Sequence, residues 1–215
     1  MNSDVFMGRF LRSISDGDLF KKVFAIILRV AAIIVALGGL YLWIRLWGTV
    51  FDLGGFFAVV GGIIFQIILI ITIAMVTHVV WLRAETVAGL PQADFTVIPI
   101  ASILLKLTGE VYVSLFVPLS IAGGVGIWFG GGNFMYYVTR YVDFLPRLPL
   151  DFLRGGGGTF LGGLFFIVGG IVTAFLSLVF FYLLAEILVV TVDIARNLKI
   201  TREVAEGYKK PGAAV

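Results

Sequence analysis

Long apolar runs separated by short charged stretches set the pattern of this chain. The runs cover about Val23 to Ile44, Gly54 to Leu82, Glu110 to Phe129 and Phe160 to Val190. Each reaches or exceeds the roughly 18–20 residues that carry a helix across a bilayer. None alternates polar with apolar residues over the ~10-residue segments of a barrel strand. In lipid, helices satisfy their own backbone groups, so helices are the predicted spanning elements. The predicted fold class is an all-α polytopic membrane protein with four transmembrane helices and additional interfacial amphipathic segments.

The stretches between the runs divide the chain further. Residues 1–22 form a polar, basic N-terminus in which Phe6, Met7, Phe10 and Leu11 give an amphipathic character suited to a lipid surface. Residues 91–109 read as a linker on the same side. Pro91 and Asp94 break helix there, and Pro99 argues against a straight helix through the apolar stretch from Phe95 to Leu107, which reads as re-entrant or interfacial. Pro118 predicts a kink inside the third span. The connector 130–159 opens with Gly130, Gly131 and Gly132 and closes with Gly155 to Gly158, two glycine hinges around an aromatic, amphipathic stretch. Residues 199–215 form a basic tail, predicted to be disordered after Pro211.

Two stretches match each other. GGFFAVVGGII at 54–64 and GGLFFIVGGIV at 162–172 agree at seven of eleven positions, with a constant offset of 108. The register extends to Glu85 on Asp193 and His78 on Glu186. The first and third spans align at an offset of 85, which puts Gly38-Gly39 on Gly123-Gly124 and Trp43 on Trp128. The expected architecture is two parallel tandem hairpin repeats, 23–90 and 110–198, related by a pseudo-two-fold axis along the membrane normal. Gly54, Gly55, Gly61, Gly62, Gly162, Gly163, Gly169 and Gly170 are the expected helix-packing residues. Lipid already solvates apolar side chains, so helices associate where small residues let backbones approach. The contact expected is within the chain, or to an oligomer or partner subunit.

Composition narrows the chemistry. Of the 215 residues 60% are hydrophobic and 13% charged, too little polar surface for a water-soluble domain. There is no cysteine, which excludes disulfides, thiolate metal sites and Cys nucleophiles. Twelve of the 16 Lys and Arg residues fall on the N-terminal, middle-loop and tail side, and four (Arg45, Arg140, Arg147, Arg154) on the other. The positive-inside rule then predicts both termini in the cytoplasm.

Ionisable residues inside spans are candidates for function because they are costly there. Arg29, His78, Glu110 and Glu186 fall at similar predicted depth near the cytoplasmic side, a candidate intramembrane polar cluster. Snorkelling and ordinary ion pairing explain the same residues without any function. The single imidazole of His78 suffices to ligate a haem or chlorophyll, but a lone histidine is more often hydrogen-bonded, and no cofactor or metal is expected. No P-loop, dinucleotide fingerprint, HExxH or nucleophile elbow is present. The basic tail is too sparse for nucleic acid and suits anionic lipid.

The pattern of a helix pair ending in an acidic residue and a basic tail, here LLAEILVVTVDIARNLKITREV, resembles small bacterial membrane proteins of unassigned function. That resemblance implies a location and brings no catalytic residues and no substrate. The expectation is therefore a non-enzymatic structural or accessory subunit, packed on other membrane subunits or on copies of itself. The alternative is a small ion or proton channel or transporter built on the cytoplasmic-side charge cluster.

Overall fold

The computed structural model describes residues 18–52, 55–90, 97–141 and 160–209. Four helices account for nearly all of them: α1 Asp18–Asp52, α2 Phe56–Ala88, α3 Val97–Tyr141 and α4 Phe160–Lys209. All four are long and apolar enough to cross a membrane. The N-terminal amphipathic stretch, Gly54, most of the outer connector and the last residues of the tail lie outside the described residues.

Two boundaries depart from the sequence-based expectation. Residues 97–109 are neither re-entrant nor broken, because α3 starts at Val97 and runs straight into the third span. Pro99 is the third residue of that helix, where its missing N–H would have had no intrahelical acceptor. At the other end α3 continues through Gly130, Gly131 and Gly132 to Tyr141, so this tract is helical and not a hinge. Pro118 sits inside α3 without ending it.

Neighbouring helices run antiparallel, as their contacts show. The Trp43 indole donates to the Gln66 carbonyl at 3.0 Å between α1 and α2, while Gly39 lies against Ile73 one to two turns further along. Gly61 meets Phe129 and Arg83 meets Glu110 between α2 and α3. The Ser102 hydroxyl donates to the Ala185 carbonyl at 3.4 Å, and at the far end Trp128 donates to the Phe160 carbonyl at 2.9 Å, between α3 and α4. The beginning of α1 and the end of α4 are thus on the same side of the bundle.

The packed pairs are α1 with α2, α2 with α3 and α3 with α4, with little contact from α1 to α3. A two-fold axis exchanging α1 with α3 and α2 with α4 would need α4 on α1 as α2 is on α3. Among the described residues no comparable α1–α4 contact exists, so these helices form an open row without the expected two-fold. Nor is the helix register repeated. The sequence alignment maps the Gly39–Ile73 contact onto Gly124 and Phe181, yet Phe181 packs on Gly109, and Gly124 on Ile167 and the Gly163 carbonyl. The second pair has slid along its axis relative to the first.

Two apolar clusters fill the row. One joins Ala25, Leu28 and Ala32 of α1 to Val76, Val80, Ala84 and Val87 of α2 and Ile100, Ile103 and Leu107 of α3. The other joins Phe65 and Leu69 of α2 to Ala122 of α3, with Trp43, Leu46 and Leu119 at its edge. By contrast α4 buries only small residues, Gly163, Ala174 and Ala185, spaced eleven apart. That spacing is three turns and keeps them on one narrow face. The rest of α4 carries exposed Phe, Leu, Ile and Val, the composition of a lipid-facing surface.

Candidate functional site

The densest polar site joins three helices near the end of the bundle that carries the start of α1. Arg83 lies in the last two turns of α2, Glu110 lies in α3, and Tyr182 reaches in from α4. Arg83 Nε donates to Glu110 Oε2 at 2.7 Å, and a second guanidinium nitrogen, Nη2, donates to Oε1. This is the fork-on-fork geometry in which arginine binds a carboxylate most strongly. The Tyr182 hydroxyl donates to the same Oε1 at 2.5 Å and accepts from Arg83 Nη2 at 3.4 Å. Lys106, one turn before Glu110, places its ammonium 5.4 Å from the centre of the Tyr182 ring. Arg83 and Glu110 retain 22% and 20% side-chain exposure, so the pair is shielded without being sealed.

Local sequence explains why these groups meet. Val80, Ala84 and Val87 turn one face of α2 into the apolar cluster, and Arg83, on the adjoining face, points along the α2–α3 seam. Gly109, next to Glu110, lets α4 approach so closely that an added Cβ would stand 3.0 Å from the Phe181 Cβ. That close approach brings Tyr182, the following residue, within reach of the carboxylate. The carboxylate is thereby engaged by a bidentate cation and a phenol, an arrangement that ties three helices together.

The predicted cluster of Arg29, His78, Glu110 and Glu186 does not assemble. Arg29, His78 and Glu186 are exposed, and only Glu110 enters an interhelical site. Depth along the helix axis was inferable, but the direction around each helix was not. His78 lies two residues from both Val76 and Val80, so it points away from the face those residues bury. Glu186 likewise follows Ala185, which faces α3. Among the described residues no three His, Asp or Glu side chains converge as a metal site would require.

The expected glycine faces divide by role. Gly61, Gly163 and Gly170 are close-approach positions: an added Cβ would collide with Phe129, Trp128 and Ser120 respectively. Gly62 is buried and Gly162 half-buried. Gly169 is exposed with open space around it, and Gly55 is not a packing residue at all. Gly55 has φ 91° at the start of α2, a backbone conformation that L side chains rarely adopt, so it serves the turn into the helix. Gly39, Gly109, Gly123 and Gly124 add close approaches that the double-glycine string did not single out.

A second polar feature is Gln66, fully buried in the first half of α2. Its backbone carbonyl accepts from Trp43, while its side-chain Oε1 and Nε2 meet no protein partner among the described residues. Thr72 and Ser120 are buried too, but each satisfies its hydroxyl on a carbonyl of its own helix, Ile68 and Val117, both at 2.8 Å. No protein-family model, curated protein or solved structure matches this chain.

Proposed function

We propose that this chain is a non-enzymatic membrane subunit that serves a structural or accessory role in a larger membrane assembly. The observation that carries the reading is the Arg83–Glu110–Tyr182 site, whose acid and base groups are spent on one another across α2, α3 and α4. The open row adds support, since it leaves both outer helices, α1 and α4, with broad lateral faces for neighbours in the bilayer. The matched glycine strings support a duplicated origin for the two helix pairs, followed by divergence in how each pair packs. The balance of Lys and Arg supports a cytoplasmic position for both termini in a bacterial inner membrane.

Crosslinking in native membranes, followed by purification in mild detergent and identification of retained proteins, tests this reading. A membrane protein recovered in fixed proportion to the chain is the expected result. Recovery of this chain with no other protein, across several crosslinker lengths, would reject it.

The second reading, a small channel or transporter, now rests on Gln66 and no longer on the dispersed charges. An amide buried inside a spanning helix with no partner among the described residues is what a polar path would require. Ion or proton flux in reconstituted vesicles, abolished by Gln66→Leu, would favour it. Vesicles that stay tight under every imposed gradient would dismiss it.

A further inference from the structure

The most unusual surface in the molecule is the part of α4 that leaves the bundle. Ser102 of α3 meets Ala185 of α4, so the first residue of α3, Val97, lies about level with residue 190. The rest of α4 to Lys209 projects roughly 28 Å beyond it at the helical rise of 1.5 Å per residue. Every residue from Asp193 to Ala205 is exposed. An amphipathic helix in water with nothing on its apolar face is marginal at this length.

The uncharged face of this segment has a specific order, four apolar positions with Asn197 and Thr201 between them. Ile187, Val190, Ile194, Asn197, Thr201 and Val204 follow alternating steps of three and four, the repeat that lets two helices coil around each other. The same spacing continues back into the span as far as Gly169, and every position on it is exposed. No Asp, Glu, Lys or Arg falls on the seam, although Glu186, Asp193, Arg196, Lys199, Arg202 and Glu203 are interspersed along this segment. Lys199 and Glu203 pair with each other at 3.9 Å off the seam.

The geometry narrows the occupant. The seam cannot be covered by α3, because the α4 residues packed there, Gly163, Ala174 and Ala185, lie on the opposite side of the helix. Bending flat onto the bilayer is disfavoured, because residues 171–206 contain neither glycine nor proline to kink the helix. A second copy in the same membrane has the same topology, so its α4 is parallel and at the same depth. Like residues then face like residues. Asn197 meets its own equivalent, a self-complementary amide pair that sets register at the seam. Within the bilayer Gly169, where an added Cβ would meet nothing in this chain, permits close approach of the two helices. We propose that two copies of this chain pair in parallel through the outer face of α4, as a coiled coil that begins in the membrane and continues beyond it. This pairing does not depend on the accessory-subunit reading.

The full chain has no cysteine, so single cysteines can be placed without background. Each position from 187 to 204 is changed to Cys in turn, and the protein is mildly oxidised in its native membrane. Disulfide-linked dimer is expected to peak at V190C, I194C, N197C and T201C, severalfold above R196C, K199C and E203C. Val190, Ile194, Asn197 and Thr201 are exposed and lie level with or beyond Val97, the first residue of α3, so folding of the four spans is not at stake. Ile194→Lys with Val190→Lys is expected to convert the protein in nanodiscs from two copies to one. Crosslinking that is equal around the helix, strongest on the charged face, or absent everywhere overturns the proposal. Seam cysteines shielded from maleimide in a chain that stays monomeric also overturn it, and assign the stripe to another segment of the same molecule.

Discussion

Arg83 on α2 and Glu110 on α3 are bound through two parallel hydrogen bonds at the seam between their helices, with Nε to Oε2 at 2.7 Å. Removing one partner strands the other charge in a partly shielded, lipid-bounded site. Glu110→Gln is therefore expected to destabilise the bundle by about 1–3 kcal/mol. Arg83→Met with Glu110→Leu is expected to cost less than either single change, because no unpaired charge remains. Equilibrium unfolding in mixed detergent measures Glu110→Gln, the single changes Arg83→Met and Glu110→Leu, and the double change. Additive single and double effects would show that the two residues are not coupled.

Tyr182 ties α4 to that pair chiefly through the phenolic hydrogen bond it donates to Glu110, beside a longer one it accepts from Arg83. Tyr182→Phe keeps the ring and removes the bond, so a loss of about 1 kcal/mol is expected. The loss should be smaller still in the Glu110→Leu background, where the acceptor is gone. A double-mutant cycle on melting of the α3–α4 contact reads the difference.

The four helices were legible because apolar length in a bilayer leaves few alternatives. Glu110 was recognisable as a costly residue, but its partners were not. In the sequence Arg83 is one charge just beyond an apolar run and Tyr182 one aromatic among many. What pairs them is the rotation of α2 about its axis and the close approach at Gly109, which follow from packing and not from position along the chain. A signal was nevertheless present: Arg83 ends one span and Glu110 begins the next, on the same side, which places opposite charges at matching depth in adjacent antiparallel helices. The double glycines differ in role for the same reason. Gly61 and Gly169 lie in the same repeated motif, yet one touches Phe129 and the other touches nothing, because α2 is flanked on two sides and α4 on one.

That difference between glycines predicts opposite outcomes for one type of substitution. At Gly124 an added methyl would meet Ile167 and the backbone carbonyl of Gly163, which cannot move aside. Gly124→Ala is expected to loosen the α3–α4 contact at a cost of about 1–3 kcal/mol. At Gly38 an added methyl meets nothing within 4 Å. Gly38→Ala is expected to be neutral or to stabilise by up to about 1 kcal/mol, the helix-propensity gain. Thermal unfolding of the two variants in the same detergent should bracket the wild type. Equal effects would mean that the α3–α4 approach is looser than these contacts imply.

Gln66 offers the sharpest test of what the interior is for. Its amide is fully buried with neither polar atom bonded among the described residues, while the neighbouring Trp43 already occupies its backbone carbonyl. An unsatisfied buried polar group costs about 1–3 kcal/mol, and an apolar side chain of similar shape removes that cost. If Gln66 is only a packing residue, Gln66→Met should stabilise the protein by about that amount, measured by unfolding in mixed detergent. Stabilisation with intact vesicles would fit a purely structural interior. Loss of stability would mean that the native amide is bonded to something not supplied by this chain. In that case flux measurements on Gln66→Met and on Thr72→Val become decisive, because Thr72 lies buried on the same helix, with its hydroxyl satisfied on Ile68. A polar path would need Gln66 and would tolerate the change at Thr72.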